Sequence, residues 1–295
     1  VVSWNYRVAA TDVEYLAAGE TKVETFTFNV LDGEGGSIER TVTVTITGSN
    51  DAPVISLAEG DSASAALTET DAELTASGTL TASDVDTTDS VTARVEALAI
   101  GGTFAGTLPI ALSDNSNAAL LAMLSVDATA VVADTANSGT INWAFDSAGE
   151  AFDFLATGET LTLTYDVVIN DGTLDSAVQT VVVTITGTND SVQVTSGEQA
   201  GTLTEGSSGT DAATQYNQTG TITFTDVDLT DRPVATAATT SVIWESAESE
   251  GSRTDLTDTL TVDQRAALVD AFTINPENAV GSNTNDGSIA WDYTI

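Results

Sequence analysis

Apolar and polar residues alternate strictly over two stretches between Thr25 and Val54. Phe26, Phe28 and Val30 share one side of the first stretch, with Thr25, Thr27 and Asn29 on the other. Val42, Val44 and Ile46 repeat this against Thr41, Thr43, Thr45 and Thr47. A period of two is the signature of half-buried antiparallel strands. An acidic, glycine-rich turn joins the two runs, and Asn50-Asp51-Ala52-Pro53 leads out of the second. The same text recurs at 164–194 as TYDVVINDGTLDSAVQTVVVTITGTNDSVQV. Further strands are predicted near 65–68, 76–82, 90–99, 140–145, 160–169 and 178–186. Two segments break the period: 117–124 (NAALLAML) and 262–272 (VDQRAALVDAF). In the second, Ala267, Leu268 and Ala271 share a face only at helical spacing, so each module is predicted to carry one short inserted helix.

The hairpin is one part of a longer repeat. Trp4, Trp143 and Trp291 mark a common position, about 140 residues apart. DVEYLAAGE (12–20) matches AFDFLATGE (151–159), and Leu-Thr-Glu at 67–69 matches 203–205. GTLTASDVDTTDSVTA (78–93) matches GTITFTDVDLTDRPVA (220–235). This period exceeds the 20–50 residues of solenoid repeats and suits a complete β-sandwich module. Residues 1–52 are then the C-terminal part of one module, 53–190 a complete module, and 191–295 the N-terminal part of a third. The fold class expected is all-β, with tandem Ig-like or cadherin-like sandwiches. The chain is either a window on a longer tandem array, or its part-modules are completed by neighbouring chains through unpaired strand edges. The tryptophans read as core plugs, against the alternative of sugar-binding aromatics. FDFLATGE and VEYLAAGE are predicted to form a single helical turn whose aromatic and Leu cap the core.

Composition narrows the function. The 295 residues contain no Cys and no His, which removes Cys and His nucleophiles, His bases, disulfides and the usual zinc sites. Forty-four acidic residues against seven basic ones give a net charge of −37. Like charge makes nucleic acid and anionic membrane poor partners. No apolar run approaches the ~18 residues of a membrane span. Two readings of the acidity remain: solubility in high salt, where screening is short-ranged, and neutralisation of clustered carboxylates by Ca²⁺.

The positions of the acids bear on that choice. One set follows each terminal strand: Asn50-Asp51 and Asn189-Asp190. A second lies about 35 residues later as Asp84-Val85-Asp86 and Asp226-Val227-Asp228, with Asp89 and Asp231 three residues further on. Asp32 and Asp171 occupy the hairpin turns, and Glu69 and Glu205 end the Leu-Thr-Glu tripeptides. An extended Asp-x-Asp would hold two carboxylates on one side, about 7 Å apart, and a following turn lets a third converge. Ca²⁺ takes six to eight oxygens from carboxylates, carbonyls and water. Turn chemistry alone explains any single Asp here, but not the recurrence of all four positions.

LDGEGGSIERTVTVTITGSNDAP, the Leu-Thr-Glu tripeptide and the D-V-D turn resemble the cadherin-like and VCBS-type repeats of giant bacterial surface adhesins, including RTX adhesins. The resemblance covers nearly the whole chain and is strongest at 11–54, 78–93, 150–190 and 220–235. It implies sandwiches with Ca²⁺ between consecutive modules. It also implies an extender role, holding an adhesive tip that lies outside this segment away from a bacterial cell. Carried over by position, it implies one site of Asn50, Asp51, Asp84, Asp86 and Asp171. A second would use Asn189, Asp190, Asp226 and Asp228, with Glu69 from the preceding module. The second linker, Asn-Asp-Ser-Val, departs from the first in lacking proline, and the complete module has no clear D-R-E-type motif.

Four functions follow as expectations. A calcium-stiffened extracellular stalk, whose partners are neighbouring repeats or identical chains, explains the recurring acids. A filament or surface-layer subunit explains the part-modules. Trp244 is the one obvious exposed aromatic for a ligand-binding module. Paired carboxylates serve glycosidases, but a catalytic pair has no reason to recur at module junctions, so no enzyme is expected.

Overall fold

A computed structural model describes residues 1–113, 117–205, 215–247, 253–275 and 285–295. Its strands in chain order are β1 (Thr21–Leu31), β2 (Ser37–Thr47), β3 (Val54–Ser56), β4 (Ser64–Thr68), β5 (Thr75–Ser83), β6 (Thr92–Gly102), β7 (Leu124–Val126), β8 (Ser138–Asp146), β9 (Thr160–Asn170), β10 (Gln179–Thr186), β11 (Gln193–Val194), β12 (Asn217–Thr225), β13 (Phe272–Asn275) and β14 (Gly287–Thr294). Two α-helices, α1 (Ala118–Leu121) and α2 (Val262–Asp270), and two short 3-10 turns interrupt them. The chain is therefore mostly β. It divides into two compact units, residues 1–152 with 158–187, and residues 153–157 with 188–295.

The first unit holds the hairpin and a complete sandwich. β1 and β2 pair antiparallel from Thr21↔Thr47 to Leu31↔Ser37 as a two-stranded sheet. The sandwich is built from two four-stranded sheets, β4-β10-β9-β6 and β3-β5-β8-β7. Alternation explains its core. Leu161, Leu163, Tyr165 and Val167 on β9 are buried, as are Val181, Val183 and Ile185 on β10. Leu80, Ile141, Trp143 and Phe145 bury the inner face of the other sheet, giving two apolar layers of the kind that sandwiches interdigitate. Two aromatics find partners for their polar ends: Trp143 Nε1 donates to the Ser62 carbonyl (2.7 Å) and Tyr165 Oη to the Leu120 carbonyl (2.8 Å). Gly78 is required beside Trp143, since a Cβ there would lie 2.6 Å from the indole ring.

The second unit repeats one layer of this sandwich. Its sheet, β11-β12-β14-β13, follows the order of β3-β5-β8-β7. β12 pairs with β14 so that Gly220 faces Trp291, as Gly78 faces Trp143 across β5 and β8. α2 opens with a capping box, in which Thr261 and Gln264 satisfy one another's backbone N–H groups.

The predicted strands and both inserted helices appear where periodicity placed them. Two details differ. Residues 13–15 and 153–155 are turns rather than a helical turn, although Leu16, Phe152 and Leu155 are buried as expected. Trp143 and Trp291 are core plugs at 1 % and 7 % exposure, but Trp4 is 64 % exposed, because among the described residues no second sheet lies over β1–β2.

Candidate metal centres

Each module entrance begins with a linker that runs past the end of a strand and a two-residue acidic turn that follows it. At the first, β5 ends at Ser83 and the chain bends through Asp84-Val85-Asp86. The Asp86 amide donates to Asp84 Oδ1 at 3.0 Å, and the Asp89 amide to the Asp86 carbonyl at 3.1 Å. This is an Asx turn, not the extended Asp-x-Asp expected from spacing. It turns Val85 outward and both carboxylates inward: Asp84 is 3 % and Asp86 0 % exposed, Val85 45 %. The linker is tied to this turn, since the Asp51 amide donates to Asp86 Oδ2 at 2.8 Å. Asn50 Nδ2 donates to the Asp51 carbonyl (3.0 Å) and to Asp171 Oδ2 (2.9 Å), bringing in the β9–β10 turn from 121 residues away. Oxygens of Asp84, Asp89 and Asp171 all lie within 4.8 Å of one another.

The second entrance repeats the bonds between linker and turn. The Asp190 amide donates to Asp228 Oδ2 (2.9 Å), the Asp228 amide to Asp226 Oδ1 (3.1 Å), and the Asp231 amide to the Asp228 carbonyl (3.1 Å). Asn189 Nδ2 donates to the Asp190 carbonyl at 2.6 Å. Asp226, Asp228 and Asp231 again fall within 4.8 Å. A difference lies behind the turn, where the Asp226 amide donates to Asp286 Oδ1 (2.9 Å) while that of Asp84 donates to the Asn137 carbonyl (3.1 Å). The linker proline is thus not needed for the geometry.

The electrostatics are strained in the same sense at both places. Burial pushes the Asp84 carboxyl up, and repulsion from Asp86, Asp171 and Asp89 adds to this, against the lowering hydrogen bond from the Asp86 amide. Burial likewise raises Asp86 and Asp89, with further repulsion from Asp171 and Glu20 on both. Asp228 is pushed up to about 6, chiefly by burial, with Asp231, Asp190 and Asp226 repelling it. Asp171 moves the other way: burial raises it, but hydrogen bonds from Leu174, Asn50 and Thr173 outweigh that and hold it below the ordinary range.

Buried carboxylate oxygens are normally hydrogen-bonded. Asp84 Oδ2, Asp86 Oδ1 and Asp228 Oδ1 are buried without a hydrogen-bond partner. Unpartnered anionic oxygens beside clustered carboxylates are a donor set that hard divalent cations take. These acidic clusters fit a metal ion such as calcium.

The residues that the resemblance implied fall into two groups. Asn50, Asp51, Asp84, Asp86 and Asp171 are brought together, as are Asn189, Asp190, Asp226 and Asp228. Glu69 is fully buried at the end of β4 in the first unit, where Oε1 accepts from the Asp71 amide at 3.3 Å. Asp89 and Asp231 had been noted for their position but not put among the ligands. Glu20 was missed. Its signal was the repeated A-A-G-E and A-T-G-E at 17–20 and 156–159, read as a mark of the repeat and as part of a core-capping helical turn.

No family model matches the sequence, and no curated protein matches it. Several solved structures are similar in part. The PapD-like domain 7 of human CEP192 has 11 % identity and a TM-score of 0.28, over 47 % of this chain and 86 % of that one. The CooA pilin subunit of enterotoxigenic Escherichia coli has 11 % identity and a TM-score of 0.25, over 48 % of this chain and all of that one. Cadherin-like domains 1 to 4 of zebrafish RET have 10 % identity and a TM-score of 0.26, over 98 % of this chain and 52 % of that one. Among the described residues no helix is long and apolar enough to cross a membrane.

Proposed function

We propose that this chain is an extender segment of a bacterial cell-surface adhesin, exported and non-enzymatic, whose modules are stiffened by Ca²⁺ where one meets the next. The observation that carries this reading is the duplicated linker–turn geometry, with buried carboxylate oxygens left unpartnered in both copies. Asn50, Asp51, Asp84, Asp86, Asp89 and Asp171 would hold the ion at the first entrance. Asn189, Asp190, Asp226, Asp228 and Asp231 would hold it at the second. A bound cation supplies the positive charge that these carboxylates otherwise lack.

The chain's own residues do the rest. The linker amides of Asp51 and Asp190 fix the linker to Asp86 and Asp228, so each linker is registered against the module it enters. Repulsion among the acids loosens that registry while they are ionised and unneutralised. Neutralising them tightens it and favours the native state by mass action. The partners are then neighbouring repeats of the same chain or identical chains, with the adhesive ligand met elsewhere.

Small-angle scattering of a chain carrying several consecutive modules, with calcium and then with chelator, tests the reading. The expected result is a longer, stiffer particle with calcium. An unchanged particle, or no calcium uptake by titration calorimetry, refutes it.

A further inference from the structure

The acidic turn at the first entrance holds together against its own charge. Asp84 is repelled by Asp86 and Asp89, and Asp89 by Asp86. Like charges this close favour an open turn. The segment 131–137, between β7 and β8, ties the turn from behind at three places. The Asp84 amide donates to the Asn137 carbonyl at 3.1 Å, the Thr135 amide to the Thr87 carbonyl, and the Val91 amide to the Val132 carbonyl at 3.0 Å. The Val131 amide returns a bond to the Val91 carbonyl at 2.8 Å. Val91 and Val132 are buried, so the segment is anchored in the core and reaches the turn from there. Gly139 lets the chain pass closely behind it: a Cβ there would lie 1.8 Å from the Val131 carbonyl oxygen.

One residue of this segment is strained. Thr135 has a φ of 73°, in the left-handed region. Among the described residues it is the one β-branched residue with positive φ, and a branched Cβ crowds the backbone there. Thr135 is exposed, so burial of its side chain does not offset the cost. What the conformation achieves is direction. It aims the Thr135 amide at the Thr87 carbonyl, between Asp86 and Asp89, while the Ala136 amide closes the bend on the Ala133 carbonyl at 3.0 Å. Strained residues persist where their surroundings over-determine the backbone, and they gather at binding sites. The second turn is backed by side chains instead. There the Asp226 amide donates to Asp286 Oδ1 at 2.9 Å, and Asn285 Nδ2 donates to the Asp226 carbonyl at 3.0 Å.

We infer that Thr135 is a positioning residue for the first metal centre: its left-handed backbone pins the Thr87 carbonyl and holds Asp84, Asp86 and Asp89 in one cluster before an ion arrives. The ion's part in this rests on the calcium reading proposed above; the pinned turn rests on the geometry alone.

Two variants of the full chain separate these. Thr135→Pro removes the amide and forbids positive φ. Thr135→Asn keeps the amide and tolerates the left-handed region. Hydrogen exchange in chelator reads the turn without metal. Thr135→Pro should speed exchange of the Asp86 and Asp89 amides about fivefold, the weight of one hydrogen bond. Leu163 and Tyr165 in β9, and Asp228 and Asp231 in the second turn, should be unchanged. In a calcium titration followed by amide shifts, Thr135→Pro should weaken binding at the first entrance by a similar factor, because only the pinned fraction is competent. The second entrance, as internal control, should be unaffected. Thr135→Asn should stay within about twofold of the natural chain in both experiments, since the left-handed region costs Asn little.

Unchanged exchange at Asp86 and Asp89 in Thr135→Pro overturns the proposal. So does faster exchange throughout β9, which would make Thr135 a general support of the fold. An Asn variant that behaves like the Pro variant overturns it too, as does an unchanged calcium affinity at the first entrance in a chain that takes up the ion. A natural chain that takes up no calcium refutes the stalk reading instead, and the exchange in chelator then decides whether the turn is pinned.

Discussion

Replacing Asp228 by Asn tests the reading of the acidic turn most directly. The carboxyl is wholly buried, keeps one oxygen without a partner, and is pushed from the ordinary 3.8 to about 6. A raised acid binds its proton more tightly in the folded chain. Its contribution to stability is therefore fully present below about pH 4 and is lost as pH rises through about 6. At 1.36 kcal/mol per pH-unit displacement, the ionised group costs the folded state about 3 kcal/mol above pH 7. Asn keeps the acceptor for the Asp190 amide and replaces the orphan oxygen by a donor among carboxylates. In chelator, Asp228→Asn should match the natural chain near pH 4 and exceed it by about 2–3 kcal/mol at pH 7.5. Urea unfolding at the two pH values measures this, followed by hydrogen exchange over residues 217–231 so that the second unit is read by itself. In calcium the order should invert, because the variant loses an anionic ligand. A gap of the same size at both pH values, or a variant that is less stable in chelator at pH 7.5, would show that burial of this charge is not what strains the turn.

Gly78→Ala should cost about 1–3 kcal/mol by driving a methyl group into Trp143; an unchanged urea midpoint would mean that the indole has room to move. Tyr165→Phe removes the donor to the Leu120 carbonyl and should cost about 1 kcal/mol, seen as a lower midpoint at unchanged slope. Asn50→Ala removes a hydrogen bond that lowers Asp171. That carboxyl should titrate higher by carbon-detected NMR, and the stability it lends above pH 4, lost on acidification, should shrink. Arg94→Ala breaks a bidentate but exposed pair with Asp175, at 2.9 and 3.0 Å, and should change stability by less than about 1 kcal/mol.

Much of this was legible because period two is a strong signal when it repeats. β9 and β10 each alternate buried and partly exposed residues along nearly their whole length, and their pattern announced both strands and faces. The inserted helices were legible from Ala and Leu spacing within a Thr- and Val-rich chain. Trp4 was misjudged because a sequence pattern records which face is apolar, not whether a layer covers it. The Asx turn at Asp84 was misjudged because Asp-x-Asp is compatible with both extended and turned backbone, and only the side-chain bond to the Asp86 amide decides between them. The repulsion that Glu20 exerts on Asp86 and Asp89 was invisible because it arises from folding and not from spacing.

The parallel pairing of β4 with β10 has a mechanical consequence. These strands lie near opposite ends of the complete module, and their register runs from Ser64↔Val182 to Thr68↔Thr186. Tension on the module's two ends pulls parallel neighbours in opposite directions along their length. Their five residue pairs are then sheared together and cannot be unzipped one at a time. Rupture requires the pairs to fail at once, so the module resists being stretched along its length far more than its modest ladder suggests.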